Sequence, residues 1–155
     1  MRRSEKEITD LETIHAIVRG CEVCRLGLAV DGEPYVVPVS FGFNGESVFF
    51  HTARHGWMID MMEANPRVCV QFERNVELVT DDDDPCAWTF HFESVIGFGS
   101  VTELVAGRDK IVGLNRIMNH YSNRDWKIEG PLLESTRVWR VDLDGLTGKR
   151  SESKA

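Results

Sequence analysis

The sequence has no long apolar run and no excess of positive charge. No hydrophobic stretch reaches the roughly 18 residues that a transmembrane helix needs, and the charged start Met1–Glu7 leads into no apolar segment. We therefore predict a cytoplasmic protein that has no secretory signal and does not enter a membrane. The 18 basic residues are outnumbered by 25 acidic ones, and the net charge of −7 argues against binding to nucleic acid. This net charge does not exclude a local basic pocket, because net charge describes the whole surface and not a single site.

Several short motifs of catalysis and metal binding are also missing. The chain has no Walker loop, no G-x-G-x-x-G, no G-x-S-x-G and, at Asp81–Asp84, no EF-hand spacing. Four cysteines are present, and Cys21 and Cys24 form a single C-x-x-C. Because Cys69 and Cys86 are not spaced as the second half of a zinc site, we predict no bound metal. A structural zinc module or a redox pair at Cys21 and Cys24 is the alternative to buried free cysteines.

The residues that are present form an ordinary globular composition with an antiparallel pattern. At 155 residues, with 42% hydrophobic and 28% charged, the chain predicts one domain at 1–149 and a polar tail at 150–155. Hydrophobic periodicity predicts helices at 10–20, 57–64 and 108–121, and strands at 23–30, 35–43, 47–51, 67–73, 87–101 and 136–143. Asp31-Gly32 and Asn44-Gly45 predict hairpin turns, and Pro38 predicts an edge strand or an irregularity. Closing such hairpins into a small barrel removes exposed sheet edges.

The most informative stretch is Phe49–Gly56, where a strand ends, polar residues follow and a helix begins. A helix N-terminus offers unpaired N–H groups and the positive end of the helix dipole, both suited to a phosphate. Thr52 adds a hydroxyl, Arg54 and His55 add positive or switchable charge, and Gly56 allows close backbone approach. These residues are equally compatible with a capped helix that follows a solvated turn.

Four segments, taken in order, resemble one protein family. They are Cys21-Glu22-Val23-Cys24-Arg25-Leu26, Pro34-Tyr35-Val36-Val37-Pro38-Val39-Ser40-Phe41-Gly42, Phe50-His51-Thr52-Ala53-x-x-Gly56 ending at Asn65-Pro66-Arg67-Val68-Cys69, and Ser94-Val95-Ile96-Gly97-Phe98-Gly99. With the closing Leu146-Thr147-Gly148-Lys149, they resemble the nitroimidazole-resistance (Nim) family, a branch of the pyridoxamine 5′-phosphate oxidase-like flavin-binding split barrels. The resemblance covers about residues 2–149.

The resemblance implies a mainly β fold, a six-stranded Greek-key split β-barrel with peripheral helices that assembles as a homodimer. It also implies FMN in a cleft at the dimer interface, with the flavin along one strand and its phosphate at the strand-to-helix turn. The implied cofactor-binding residues are Pro38, Val39, Ser40, Phe41, His51, Thr52, Ala53, Arg54, His55, Gly56, Trp57, Met58 and Ser94. His51, in the F-H-[ST]-A motif, is the implied catalytic residue near the reactive face of the flavin.

Two positions depart from the family pattern. Met58 stands where the pattern H-S-A-x-x-G-x-K-I has a lysine, and Glu93 stands where an arginine commonly precedes the serine of S-V-I-G. A charge-assisted phosphate contact contributes roughly 1.5–3 kcal/mol, equivalent to about 10- to 150-fold in affinity. We therefore expect a weakened FMN site unless Arg54, His55 or an N-terminal arginine compensates.

The resulting functional expectation is an FMN-dependent oxidoreductase similar to nitroimidazole reductases. It would act on small nitro-aromatic or other planar acceptors, with a nicotinamide as the candidate electron donor. His51 would donate a proton or orient the substrate, because imidazole titrates near neutral pH. The alternative is a non-catalytic split barrel that stores or senses a flavin or a haem.

Overall fold

The computed structural model describes residues 4–151 of the chain. The strands are β1 (Glu7–Ile8), β2 (Cys24–Val30), β3 (Glu33–Val39), β4 (Gly42–Phe43), β5 (Ser47–Thr52), β6 (Arg67–Val79), β7 (Thr89–Glu103) and β8 (Arg137–Ser151). The helices are α1 (Leu11–Arg19), α2 (Trp57–Ala64), α3 (Gly107–Ser122) and α4 (Pro131–Ser135), with short 3-10 turns at Ser4–Lys6 and Pro85–Ala87. The N-terminal arginines Arg2 and Arg3, and residues 152–155 of the predicted tail, lie outside the described residues.

The strands form one antiparallel sheet in the order β3-β2-β6-β7-β8-β5-β4, with β1 paired to β8. β3 and β4 stand at opposite ends of this order, yet only Ser40 and Phe41 join them, so the sheet curls until its two ends meet. The predicted split β-barrel is confirmed. Its six long strands correspond to the six that the resemblance implied, and the two further strands, β1 and β4, contain two residues each.

Several boundaries differ from the sequence-based prediction. The strand predicted at 35–43 divides into β3 and β4, β6 runs beyond residue 73, and α4 was not predicted. β8 continues to Ser151, which pairs with Phe92 of β7 and accepts a hydrogen bond from Lys6 Nζ at 2.8 Å. Arg150 and Ser151 therefore belong to the barrel and not to the predicted tail. Neighbouring strands impose these extensions, because the alternation of apolar and polar residues stops before the pairing does.

Two apolar clusters organise the interior. The larger one fills the barrel and includes Phe41, Phe50 and Phe72, all fully buried. The smaller one lies between α3 and the outer side of β5 and β8, and its buried members are Phe49, Leu114, Ile117 and Val138. α3 packs very close to β4, because a Cβ atom on Gly42 would lie 2.3 Å from the backbone of Arg116. The helix therefore covers one side of the barrel, next to the end of β5.

The N-terminal helix follows its sequence signals. Asp10 caps α1 by accepting the N–H of Thr13 at 2.8 Å, and Gly20 ends the helix. Cys21 and Cys24, which follow it, are free and buried, and burial raises the pKa of Cys24 to about 12. Cys24 therefore remains a neutral thiol at physiological pH and packs as a small apolar side chain. No helix within residues 4–151 is both long and apolar enough to span a bilayer.

Candidate functional site

The turn between β5 and α2 is exposed at the corner of the barrel. Ala53, Arg54, His55 and Gly56 are all solvent-exposed. Gly56 has φ 152°, a value that suits glycine, and a Cβ atom added there would meet nothing within 4 Å. The carbonyl of Gly56 accepts the first helical N–H, from Ile59, at 2.9 Å, and no side chain of the described part of the chain caps the helix. The start of α2 therefore presents backbone N–H groups to solvent beside two side chains that carry or can acquire positive charge.

Thr52 holds the turn in place. Its hydroxyl donates to the carbonyl of Ala53 at 2.8 Å and accepts the indole N–H of Trp139 at 3.0 Å. Both bonds lie within the corner itself, so the hydroxyl already has a donor and an acceptor. Thr52 consequently shapes the turn, in contrast to the direct phosphate contact that the sequence suggested as its role.

The arginine nearest the turn in strand register is already neutralised. Arg137 pairs with Thr52 across β5 and β8 and forms ion pairs with Glu63 of α2 and Glu103 of β7. Its hydrogen bonds lower the pKa of Glu103, and the same bonds raise the pKa of Arg137 above its already high ordinary value. Arg137 therefore ties α2 to the barrel, and Arg54 and His55 supply the charge of the turn.

Met58, the residue at the family lysine position, turns toward the interior. It is half-buried and packs against the barrel core as one of its peripheral apolar side chains. The site consequently has a hydrophobic contact where the family pattern has a cation. This contact helps to seat the first turn of α2 on the barrel.

The edge strand β3 lies beside the same corner. Pro38 and Ser40 are exposed, and Val39 is partly exposed. Within residues 4–151, β3 pairs only with β2, which agrees with the edge-strand alternative predicted from Pro38. The rings of Tyr35 and Trp57 are 4.6 Å apart, and this contact brings β3 and the start of α2 together. The structure thus places most of the predicted cofactor residues along one edge and one adjoining turn.

Phe41 lies apart from that exposed edge. Its ring is fully buried, with its centroid 5.0 Å from that of Phe72 and 4.3 Å from that of His120. Its backbone N–H donates to the hydroxyl of Tyr121 at 3.0 Å. Phe41 therefore contributes to the barrel core, and its N–H is already paired.

Ser94 is not brought to the corner within one chain. It lies on β7 and pairs with Glu73 of β6 and Lys149 of β8. β2 and β6 separate it from β3, a distance of about 14 Å at the usual spacing of neighbouring strands. A single copy therefore cannot bring Ser94 and Pro38 to the same small group.

Glu93, the other departure from the family pattern, has a buried carboxylate at the centre of an ion cluster with partly exposed arginines. Its carboxylate accepts hydrogen bonds from Arg74 Nε at 2.7 Å, Asn75 Nδ2 at 2.9 Å and Arg150 Nε at 2.9 Å. Burial alone would raise the pKa of Glu93, but the bonds from Arg150 and Arg74 outweigh it and hold the pKa below its ordinary value. Arg74 also donates to the carbonyl of Ala16, so the cluster fastens α1 to the sheet. Glu93 has a structural role away from the corner.

His51 lies next to a cavity of about 350 Å³ that the sequence did not reveal. Its side chain is on the same side of β5 as Phe49, facing α3. The other lining residues are Leu114, Ile117, Met118, Trp126, Lys127, Ile128, Glu129 and Thr136. Residues 123–130 had no predicted structure, and their only signal is the alternation of Trp126 and Ile128 with charged neighbours. His51 therefore stands between the turn and a mostly apolar chamber.

The fold and the corner together define a split β-barrel whose sheet edge adjoins a strand–turn–helix site suited to an anion. The chain belongs to the pyridoxamine 5′-phosphate oxidase family, whose model matches residues 10–150. The family resemblance inferred from the sequence motifs is confirmed.

Solved structures agree with this assignment. The chain is similar to a proposed 5-nitroimidazole antibiotic resistance protein from Bacteroides thetaiotaomicron, with 29% identity over 94% of this chain and 90% of that chain and a TM-score of 0.81. It shares the fold of the flavocytochrome Anf3 from Azotobacter vinelandii (20% identity, 99% and 72% covered, TM-score 0.83). It also shares the fold of an FAD and heme binding protein from Mycobacterium smegmatis (18% identity, 96% of this chain and 74% of that chain covered, TM-score 0.83). No protein with a curated description matches the chain significantly.

Proposed function

We propose that the protein is a flavin-binding oxidoreductase that holds FMN at the corner and reduces small planar acceptors such as nitro-aromatics. The observation that carries the proposal is the exposed turn at Ala53–Gly56, which leads into an α2 without a side-chain cap and lies beside the edge strand β3. FMN consists of a phosphate end and a flat ring system. The turn suits the phosphate, and the edge of β3 suits the ring system.

The phosphate would be held by backbone and side chains of the turn. The N–H groups of Trp57 and Met58 lie in the first turn of α2, where the helix dipole favours an anion. Arg54 and His55 would add charge, and Gly56 would let the phosphate approach the backbone. These residues fit a phosphate without the lysine that Met58 replaces, although with one cation fewer.

The ring system would lie along Pro38, Val39 and Ser40. β3 is an edge strand, so the backbone groups on its outer side pair with no other strand of the described residues and can hydrogen-bond to the ring heteroatoms. Bound FMN would supply the redox chemistry. His51 would orient the acceptor and transfer a proton to it from the cavity side, because its ring nitrogens can donate and accept protons.

A second copy of the chain is part of this proposal. The outer face of the sheet carries the exposed apolar side chains of Val36, Ile96 and Phe98. Such a face favours burial against a like surface. In a homodimer, the partner's Ser94 would be free to approach the flavin that Ser94 of the same chain cannot reach.

The packing of Met58 favours a second candidate function. A site that lacks the lysine would bind FMN more weakly, and the same barrel would then serve as a non-catalytic flavin- or haem-binding protein. Turnover separates the two functions, because only the oxidoreductase consumes an electron donor in the presence of an acceptor.

The first experiment is the visible absorption spectrum of the purified protein after FMN is added and excess is removed by gel filtration. We expect a retained flavin band and a loss of affinity of about 10- to 100-fold in Arg54→Ala. Arg108→Ala, which removes an exposed arginine from α3, is the matched control and should retain wild-type affinity. A protein that takes up no FMN would contradict the proposal. Oxidation of a nicotinamide donor with a nitro-aromatic acceptor then tests catalysis.

A further inference from the structure

We propose that the cavity between α3 and residues 123–130 is a binding pocket for a compact, uncharged ring compound. We call residues 123–130 the strap. We further assign this ligand as the electron acceptor; that assignment rests on the proposed function, because His51 is shared by the cavity and the corner. The pocket itself depends only on the chamber that the structure contains.

The apolar floor and walls of the pocket come from two separate elements. α3 contributes Leu114, Ile117 and Met118, and the strap contributes Trp126 and Ile128. Leu114 and Ile117 are buried, and Ile128 packs against their cluster. Met118 and Trp126 are 36% and 41% exposed, so two large apolar side chains border open space that they do not fill. When a ring displaces water from apolar surface of this kind, the burial of that surface favours binding.

The strap is fixed against α3 by specific bonds. The side chain of Asn115 accepts the backbone N–H of Trp126 at 2.7 Å and donates to its carbonyl at 3.0 Å. The indole N–H of Trp126 donates to Ser122 Oγ at 2.9 Å, and the guanidinium of Arg124 lies 3.7 Å from the centre of the ring system. These contacts hold the indole on both its polar edge and its face. Trp126 therefore forms a preorganised wall, which lowers the entropic cost of ligand binding.

Size and charge define the ligand class. An apolar cavity of about 150 Å³ is enough to hold one benzene ring. The cavity of about 350 Å³ is more than twice as large and fits a substituted ring or two fused rings. At its rim, Lys127 and Glu129 form an ion pair at 3.1 Å and cancel each other's charge. His51 and Thr136 offer hydrogen bonds, so the ligand should be neutral and carry a polar group at one end.

The test uses quinoline as the probe and the apo protein as the target. The methyl group of Met118, labelled with ¹³C, reports whether quinoline enters the pocket by a shift in its NMR signal. Met118→Trp should fill the pocket and weaken quinoline binding by at least about tenfold. Val112→Trp places the same side chain at an exposed position of α3 that does not line this cavity, and it should change the affinity by less than about twofold.

Two further measurements sharpen the assignment. Quinoline-2-carboxylate, the anionic partner of the probe, should bind about tenfold more weakly because its charge would face apolar walls. Asn115→Ala should speed hydrogen exchange at the Trp126 N–H and weaken quinoline binding, because Asn115 positions the strap. A methyl signal of Met118 that does not respond to quinoline, or equal binding by the wild type and Met118→Trp, would overturn the proposal.

The outcome does not depend on the flavin. If quinoline binds as described and FMN does not, the pocket stands and the proposed oxidoreductase function fails. If FMN binds and quinoline does not, the pocket assignment is wrong while the flavin site remains. The two variants at Met118 and Val112 should retain wild-type FMN affinity, since neither residue lies at the turn or on β3.

Discussion

The hydroxyl of Tyr121 accepts the backbone N–H of Phe41 at 3.0 Å, and it thereby connects α3 to the segment that joins β3 and β4. The same hydroxyl donates to the carbonyl of Glu22 at 2.7 Å. The two bonds meet at the place where the open ends of the sheet come together. The closure of the barrel, and therefore the position of the β3 edge, depends in part on a helix that follows some 80 residues later in the chain.

Removing this hydroxyl should destabilise the protein. Tyr121→Phe breaks both hydrogen bonds, and we expect the free energy of unfolding to fall by about 1–3 kcal/mol. Urea unfolding followed by circular dichroism measures the change. Tyr35→Phe is the matched control, because no hydrogen bond to the Tyr35 hydroxyl is present among the described residues, and it should alter stability by less than about 0.5 kcal/mol. Equal effects of the two substitutions would show that Tyr121 does not act through its hydroxyl.

The cluster at Glu93 predicts a pH-dependent contribution to stability. Because the pKa of Glu93 is lowered in the folded state, its contribution to the free energy of unfolding is fully present above the unfolded pKa and is lost as the pH falls through the folded value. Glu93→Gln should reduce the free energy of unfolding at pH 7 by about 2 kcal/mol, since Arg74 and Arg150 lose their shared carboxylate. The difference from the wild type should shrink in more acidic buffer.

Glu129→Gln provides the comparison for Glu93→Gln. Its ion pair with Lys127 is largely exposed to solvent, so its removal should have almost no effect at either pH. Urea unfolding of all three proteins at pH 7 and pH 3.5 measures both predictions. A constant gap between the wild type and Glu93→Gln across this range would contradict the assigned role of the carboxylate.

Local signals in the sequence predicted the barrel, and tertiary contacts explain what they missed. Asp31 and Gly32 both have positive φ, 52° and 86°, which is the geometry that an Asp-Gly hairpin turn requires. The extension of β8 to Ser151 has no comparable signal, because it depends on pairing with Phe92 on a distant strand. The strap is held by Asn115, whose side chain replaces the backbone pairing of a regular element. Neither feature follows from periodicity.

The candidate site also has one part that local sequence signals predict and another part that depends on tertiary contacts. The turn at Ala53–Gly56 was predicted because a change of period from strand to helix is local. Its relation to β3 through Tyr35 and Trp57 is consistent with the family motif but could not be derived from spacing. The burial of Phe41 and the distance between Ser94 and the corner depend on how the sheet closes. The sequence therefore predicts which segments belong to the site more reliably than which side chains reach it.

Restoring the family cation should strengthen the flavin site. In Met58→Lys, the apolar stem of lysine can follow the path of the methionine side chain while its ammonium group reaches solvent near the turn. We expect the dissociation constant for FMN, measured by quenching of flavin fluorescence, to fall by about tenfold. Met118→Lys makes the same substitution on α3 and should leave the dissociation constant for FMN unchanged. An unaltered FMN affinity in Met58→Lys would place the phosphate away from the start of α2.

The two histidines near the corner should have separable roles. His51→Ala should bind FMN as the wild type does but lower the turnover of a nitro-aromatic acceptor by about 100-fold or more, since the side chain faces the cavity. His55→Ala should instead weaken FMN binding, because His55 lies in the exposed turn. Fluorescence titration and steady-state kinetics on both variants measure the two effects. Full activity in His51→Ala would exclude it as the catalytic residue.

The outer face of the sheet gives the most direct test of assembly. Val36, Gly27, Cys69, Phe98 and Gly145 are register partners on adjacent strands and form one row across this face. Phe98 is 52% exposed and lies two residues from Ile96, on the same face of β7. A stable dimer buries about 800 Å² on each partner. A charge placed on the buried face would oppose this burial.

Phe98→Glu should therefore convert a dimer into a monomer, as measured by light scattering at micromolar concentration. Val105→Glu introduces the same charge at a more exposed position outside the sheet and should remain dimeric. If the partner contributes Ser94 to the flavin site, Phe98→Glu should also bind FMN more weakly than Val105→Glu does. A wild-type protein that is monomeric at every concentration would rule out this face as a dimer interface and leave the flavin site to the residues of one chain.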